Sequence, residues 1–216
     1  MKNKFNLTRE QNVFIVKRNI VDYIWKIANL EGIEISYPQT QVLYDGGIIN
    51  GLTVNETITI NNLKYGWIYI LDNIHIKYDI RTLCKLHRLT TEKLVSNPGI
   101  IRKTIKEQLE PLSENNIKEE LNRLIHQTEK SKTEIAIEVM LWIMHNQIFD
   151  DGNKRVAILF ANKIMIDNGC GIISISNENQ PLFIEKLHKY YKTNDMSELK
   201  KWIYDNCIDG IDLNKK

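Results

Sequence analysis

The sequence predicts an all-α fold, a helical bundle around one buried central helix (153–168) with a small β-hairpin. Three observations predict it. Apolar residues recur at helical spacing along most of the chain. Four signatures in which a side chain caps the third helical amide and a Glu or Gln reaches back stand ahead of such stretches. Strand-like runs are few and short, Ile48-Ile49 and Ile172 to Ile175. At 216 residues, 43% hydrophobic and 26% charged, the chain has the composition of a globular domain with a sizeable core. No repeat and no linker rich in Gly, Ser or Pro divides it.

The elements follow in order. Thr8-Arg-Glu-Gln11 opens an apolar-periodic stretch: Val13, Phe14, Val16, Ile20, Val21, Ile24, Trp25 and Ile27. Glu31-Gly32 is a natural end for it, with Gly just past the last turn. Thr53-Val-Asn-Glu56 opens a second helix through Leu71. A third spans about 79–95, holding Leu83, Leu86 and His87, and Asn97-Pro98-Gly99 stops it. The segment 103–114 is polar, contains Pro111, and reads as a short hairpin or loop. A helix follows at about 116–127. Ser131-Lys-Thr-Glu134 opens another to about Asn146. Helices are expected at 153–168, with Gly169 as its stop, and at 181–192. Asp195-Met-Ser-Glu198 opens the last, through Trp202 and Ile203. Trp25, Trp67, Trp142 and Trp202 sit at helical phase with apolar neighbours and read as core.

The helix from Asn153 differs from the rest. Val156 to Ala161 are consecutively apolar, and Ile164, Met165 and Ile166 follow. A helix apolar on all sides belongs at the centre of its domain. Its N-terminal approach, Phe149-Asp-Asp-Gly-Asn-Lys-Arg155, is strongly polar.

Composition excludes several classes of function. Lys plus Arg is 29 and Asp plus Glu 27, a net +2, so neither nucleic acid nor a membrane is expected as partner. No apolar run approaches the roughly 18 residues of a membrane span. Met1 to Thr8 lacks the apolar core of a signal peptide, so the expected location is the cytoplasm. Cys84, Cys170 and Cys207 are far apart, without zinc spacing, and suit a reducing compartment. Abundant Asn, Ile and Lys point to a low-GC bacterium or its phage.

Chemistry concentrates in Asp150-Asp151-Gly152-Asn153-Lys154-Arg155. Gly152 permits a tight turn and leaves room for a ligand. The amides that follow have no intrahelical partner and lie at the positive end of the helix dipole, a good seat for phosphate. Lys154 and Arg155 add positive charge. Asp151 beside a phosphate is a ligand for Mg²⁺. The alternative reading is a helix capped by Asp and Gly with solvated charges.

Phe149-Asp-Asp-Gly-Asn-Lys-Arg155 resembles the second half of the motif HxFx(D/E)GN(G/K)R of the Fic/Doc (Fido) family. Leu86-His87-Arg88-Leu89 followed by Asn97-Pro-Gly-Ile-Ile-Arg102 resembles another stretch of that family. Ala28-Asn-Leu-Glu-Gly-Ile33 is similar to a segment that forms an autoinhibitory helix in many members. Asn162 and Gly169 match as well, and the matches run collinearly over about 30–205. The resemblance implies a Fic-like bundle, with 1–32 an inhibitory-like N-terminal helix and 33–216 the core, one compact domain together. It implies transfer of a nucleotide monophosphate, usually AMP from Mg·ATP, to a hydroxyl of a target protein. Asp151 would then hold Mg²⁺, and Gly152, Asn153 and Lys154 would cradle the α- and β-phosphates. Arg155 would neutralise the leaving charge, Phe149 would anchor the loop, and 103–114 would be the flap that aligns the target.

The chain also departs from the family. Gln147 stands where the family has the His that takes the proton from the target hydroxyl. A carboxamide does not titrate in the useful range, and losing a general base costs about 10²–10⁴ in rate. Gln147 retains the ability to orient a hydroxyl. His145, two residues earlier, lies about 200° round the helix and reads as a polar residue on the outer face. Ile158 replaces a second Arg that an inhibitory Glu commonly meets, and Ile27 replaces a Ser or Thr of the inhibitory segment. Glu31 as a regulatory residue is left with Arg155 or Lys154 as partner. His87 is expected to bond backbone, and Arg102 to tie the flap base to the core; His75, His126 and His188 show no metal spacing. The implied function is a transferase of weak or altered activity. The alternative is a catalytically dead nucleotide-binding or protein-interaction module. Either fits a toxin–antitoxin or phage-defence component, restrained by an antitoxin or by its own first helix.

Overall fold

The computed structural model describes residues 1–106 and 109–211. At its centre lies the helix the sequence singles out, Asn153–Asp167, in which every residue from Arg155 to Ile166 is buried. In chain order the elements are α1 (Arg9–Leu30), α2 (Tyr37–Tyr44), α3 (Val54–Asp72), α4 (Ile80–Thr91), α5 (Glu114–Ile125), α6 (Lys132–Asn146), α7 (Asn153–Asp167), β1 (Ile172–Ile173), α8 (Gln180–Thr193), α9 (Ser197–Asn206) and β2 (Ile208–Asp209). α6 lies along α7, and α1, α3 and α4 pack against its other sides. α5 and α9 cover α6, and α8 leans on α9. Trp67, Phe149, Phe160 and Phe183 are fully buried in the single core cluster.

Two of the four expected capping boxes form in full, at Thr8 and Thr53. At Ser131 only half forms. The Ser131 hydroxyl accepts from the Glu134 amide (3.1 Å), but the Glu134 carboxylate is drawn to the Met1 ammonium (2.6 Å) and to Lys200 (2.8 Å). The box expected at Asp195 does not form. Asp195 accepts from the Ser197 amide (2.9 Å), α9 starts at Ser197, and Glu198 pairs with Lys186 and with Lys189 (2.6 Å) across to α8. In both cases an opposite charge on a neighbouring element competes better than the local amide. A further box forms where none was expected: Ser36 and Gln39 cap each other and open α2, with Pro38 in the first turn. Trp67 is buried; Trp25, Trp142 and Trp202 are partly buried against the core.

No strand forms at Ile48-Ile49. The segment is a loop bracketed by Gly46 and Gly51, both at positive φ, and Ile48 is 88% exposed. The strand at Ile172-Ile173 is real. It pairs antiparallel with β2, Ile172 with Asp209 and Ile173 with Ile208, after the chain has passed through α8 and α9. Among the described residues, the flap expected over 103–114 holds one antiparallel bridge, between Lys106 and Leu109, and α5 starts at Glu114 under a Ser113 cap. Residues 107 and 108 lie outside the described residues. Gly169 ends α7 as expected, at φ +65°. A Cβ there would sit 1.8 Å from the Leu7 carbonyl oxygen, since the N-terminal segment crosses the helix end at that point.

Candidate functional site

The loop between α6 and α7 builds the site. α6 stops at Asn146 because Gln147 adopts a left-handed conformation (φ +44°, ψ +57°). Phe149 then enters the core and stacks on the His87 ring, 3.7 Å between centroids and nearly parallel. His87 is held as a fixed tautomer. Its Nδ1 accepts from the Gly99 amide (2.8 Å), so Nε2 carries the proton and donates to the Asp151 carbonyl (2.8 Å). Burial pushes the His87 pKa down to about 4, so the ring is neutral. It clamps the loop as expected.

Asn153 closes the loop from the other side. Its Oδ1 accepts from the Phe149 amide (2.9 Å), and its Nδ2 donates to the Phe149 carbonyl (2.8 Å) and to Gln147 Oε1 (3.2 Å). The Asn153 side chain is therefore committed to the loop, and its backbone amide is what remains for an anion. Gly152 sits at φ +75°, and a Cβ there would lie 2.4 Å from Thr91 Cγ2. Only glycine fits this turn. No side chain caps α7, so its first amides face outward at the positive end of the dipole. Beside them Asp151 accepts from the Gly152 amide (2.6 Å), with its side chain 71% exposed.

Arg155 is 4% exposed. Its Nη1 donates to the Thr90 carbonyl (2.9 Å), and its Nε lies 3.2 Å from Glu31 Oε2. Lys154 Nζ lies 3.3 Å from Glu31 Oε1 and donates to the Leu30 carbonyl (3.3 Å). The Glu31 contacts are Coulombic rather than hydrogen-bonded: Arg155 Nε and Glu31 Oε1 are buried with no hydrogen-bond partner among the described residues. The helix-end reading of Glu31-Gly32 holds. Glu31 is the C-cap of α1, Gly32 turns at φ +83°, and the carboxylate points at the cations of α7.

Gln147 faces the same place. Its Nε2 donates to the Met144 carbonyl (2.7 Å), and its Oε1 also lies 3.4 Å from Lys106 Nζ of the flap. Arg102 fastens the flap, donating to the carbonyls of Gln147 (2.8 Å), Leu109 (3.0 Å) and Glu110 (3.3 Å). His145 is not an outer-face polar residue. It packs on Tyr190 (4.8 Å) and Tyr191 of α8, and burial lowers its pKa. Ile158 is buried and borders a small cavity with Ile27 and Leu30 of α1.

Glu31, Gln147 and Asp151 to Lys154 form one wall of a cleft of about 320 Å³. The other wall is Ile184, Leu187, His188 and Tyr191 of α8. Sequence reasoning missed these four. The helix was expected, but nothing local showed that its apolar face would oppose the α7 N-terminus. Among the described residues no three His, Cys, Asp or Glu converge as a metal centre. A cation at Asp151 would thus need oxygens from a ligand, which suits Mg²⁺ with a phosphate.

Residues 77–165 match the family model described as Fic/DOC family. No curated protein matches the chain in sequence. The fold is similar to that of Fic-1 (residues 134–508) from C. elegans, with TM-score 0.74 and 20% identity over 88% of this chain. It is similar to a Fic domain containing signaling protein from Bacteroides thetaiotaomicron, with TM-score 0.69 and 16% identity, covering 90% of this chain and 80% of that one. A Fic family protein from Desulfovibrio desulfuricans gives TM-score 0.70 and 16% identity over 91% of this chain. The chain spans 62% of the C. elegans and D. desulfuricans chains. No helix of the described residues is long and apolar enough to cross a membrane.

Proposed function

We propose that this chain, whose residues 77–165 match the Fic/DOC family model, binds a Mg²⁺–nucleotide at the α7 N-terminus and transfers its nucleotide monophosphate slowly to a protein hydroxyl. The observation that carries this is the uncapped turn at Gly152, which opens with Lys154 and exposed Asp151 into the cleft under α8. Its volume lies within the range of small-molecule sites, about 300–1,000 Å³. The residues present fit the ligand. The amides of Asn153 to Arg155 would hold phosphate oxygens, and Asp151 would hold the metal. The apolar wall of Ile184, Leu187 and Tyr191 would take the base. The metal, when bound, supplies charge neutralisation on the phosphates. ATP, with AMP as the transferred group, is the nucleotide this reading favours.

Catalysis by this chain is then positioning and electrostatics. Arg155 would stabilise the leaving charge. Gln147 would orient the acceptor hydroxyl without taking its proton: as the hydroxyl oxygen bonds to the α-phosphorus, the bond to pyrophosphate would break, pyrophosphate would leave, and the proton would pass to solvent water, which lowers the rate by about 10²–10⁴ relative to a His at that position. Glu31 holds the site closed, because its carboxylate occupies the field of Lys154 and Arg155 that the phosphates would use. Withdrawal of the α1 C-terminus would free both cations. A second reading, a nucleotide-binding module without transfer, is favoured by the bonds that tie Gln147 to Met144, Asn153 and Lys106. Either reading fits a toxin–antitoxin or phage-defence component restrained by an antitoxin or by α1.

Calorimetric titration of Mg·ATP into the native protein, Glu31→Gly and Arg155→Ala tests the proposal. Binding is expected to be tightest in Glu31→Gly and weaker than native by about 1.5–3 kcal/mol in Arg155→Ala. A Glu31→Gly protein that binds neither ATP nor any other nucleotide would overturn it.

A further inference from the structure

Residues 77–106 carry eight Lys and Arg against two Asp and Glu, a net +6 in a chain whose net charge is +2. The structure gathers much of this charge in one place. α4 is strongly amphipathic, and its exposed face presents Arg81, Lys85 and Arg88, spaced four and three residues apart. Arg81 and exposed Lys103 line a groove of about 460 Å³ whose apolar lining includes Ile80, Ile100, Ile101 and Leu112. Ile100 is itself half exposed there. Among the described residues, none of Arg81, Lys85, Arg88 and Lys103 has a carboxylate within ion-pair distance. Among the described residues lining the groove, the one acid, Glu114, is taken by Lys118 at 2.6 Å, with Arg81 further off. The groove runs into the flap, because Arg102 at its end holds the Leu109 carbonyl (3.0 Å).

We infer that this groove docks an extended acidic and apolar segment of the acceptor protein, beside the flap. The inference rests on the proposed transferase reading and names the class of target that reading leaves open. Clustered cations without partners repel one another, and an acidic segment removes that repulsion while its apolar residues cover Ile100 and Leu112. An extended chain suits the groove because alternate side chains point to opposite sides, acids to the rim and apolar groups to the floor. The lining holds no aromatic ring on which a base would stack, which favours a peptide over nucleic acid.

The test is fluorescence anisotropy with a short fluorescein-labelled peptide alternating Glu and Leu, the same peptide with Gln or Lys in place of Glu, and a labelled single-stranded oligonucleotide. The native protein is expected to bind the Glu peptide about tenfold or more tightly than the Gln peptide, and not the Lys peptide. That preference should collapse in about 1 M salt, where screening acts within about 3 Å. Arg81→Glu with Lys85→Glu, both on the surface, should abolish peptide binding and leave the Mg·ATP titration unchanged. Cys84 lines the groove while Cys170 and Cys207 are buried, so the Glu peptide should slow alkylation of Cys84. Equal affinity for the Glu and Gln peptides, tighter binding of the oligonucleotide, or no effect of the charge reversal overturns the groove. Peptide binding without nucleotide binding leaves the groove standing and sinks the transferase reading.

Discussion

Gln147 leaves α6 in a left-handed conformation and points its carboxamide oxygen at Asn153 and Lys106. A His there would find the same surroundings and add a titrating nitrogen. Gln147→His in a Glu31→Gly background is therefore expected to raise label transfer from α-labelled ATP by about 10²–10⁴. An unchanged rate would mean that the acceptor hydroxyl is not held at this position. Gly152 is constrained more simply. Gly152→Ala places a Cβ 2.4 Å from Thr91 Cγ2 at a positive φ, and should lower stability by about 1–3 kcal/mol in denaturant unfolding while weakening Mg·ATP binding. A variant as stable as native would show that the turn relaxes freely.

Buried asparagines stitch the elements together where no ladder or helix bond reaches. Asn12 of α1 exchanges bonds with Gly171 (3.0 and 3.1 Å), and Asn162 of α7 with Ile173 (2.7 and 2.9 Å), so both helices are tied to the short β1 region. Asn153 does the same for Phe149. Each amide satisfies one backbone donor and one acceptor that would otherwise be buried unpaired. Asn162→Ala is expected to cost about 2–3 kcal/mol in denaturant unfolding, well above the loss at an exposed site, and a loss under 0.5 kcal/mol would refute this account. The flap depends on Arg102 in the same way. Its guanidinium reaches carbonyls of α6, the α6–α7 loop and the flap itself. Arg102→Ala should speed amide hydrogen exchange at Leu109 and at Ile148, whose neighbour Gln147 it holds.

Across the whole molecule the neutral His87 joins α4, the Gly99 turn and the α6–α7 loop. Its pKa falls from the ordinary 6.5 in the unfolded chain to about 4 in the folded one. The unfolded chain thus binds the extra proton first. Stability from this residue is complete above pH 6.5 and is lost as pH falls toward 4, in total roughly 3 kcal/mol. Denaturant unfolding at pH 7 and pH 4.5 should show a steeper loss in the native protein than in His87→Gln, whose amide can serve both bonds without titrating. Parallel slopes would remove His87 as the source.

The all-α class, the buried central helix and the polar turn before it were legible in the sequence, because apolar periodicity and glycine chemistry are local. Glu31 could be singled out with Arg155 or Lys154 as its partner, yet the contact itself spans more than a hundred residues. Only the packing of α1 on α7 brings the carboxylate to 3.2 Å from the guanidinium. The same holds for the far wall of the cleft, where Ile184, Leu187 and Tyr191 carry no mark that separates a core face from a ligand face. The capping box at Ser131 forms by half and the one at Asp195 not at all, for a related reason. The local donor was present, but a lysine or ammonium from a distant element offered the carboxylate a stronger partner. The sequence by itself determined most of the helices and the polar, glycine-bearing turn ahead of the central one. Tertiary structure decided which charges meet there, because electrostatic partners are chosen by distance in space and local propensity has no knowledge of it.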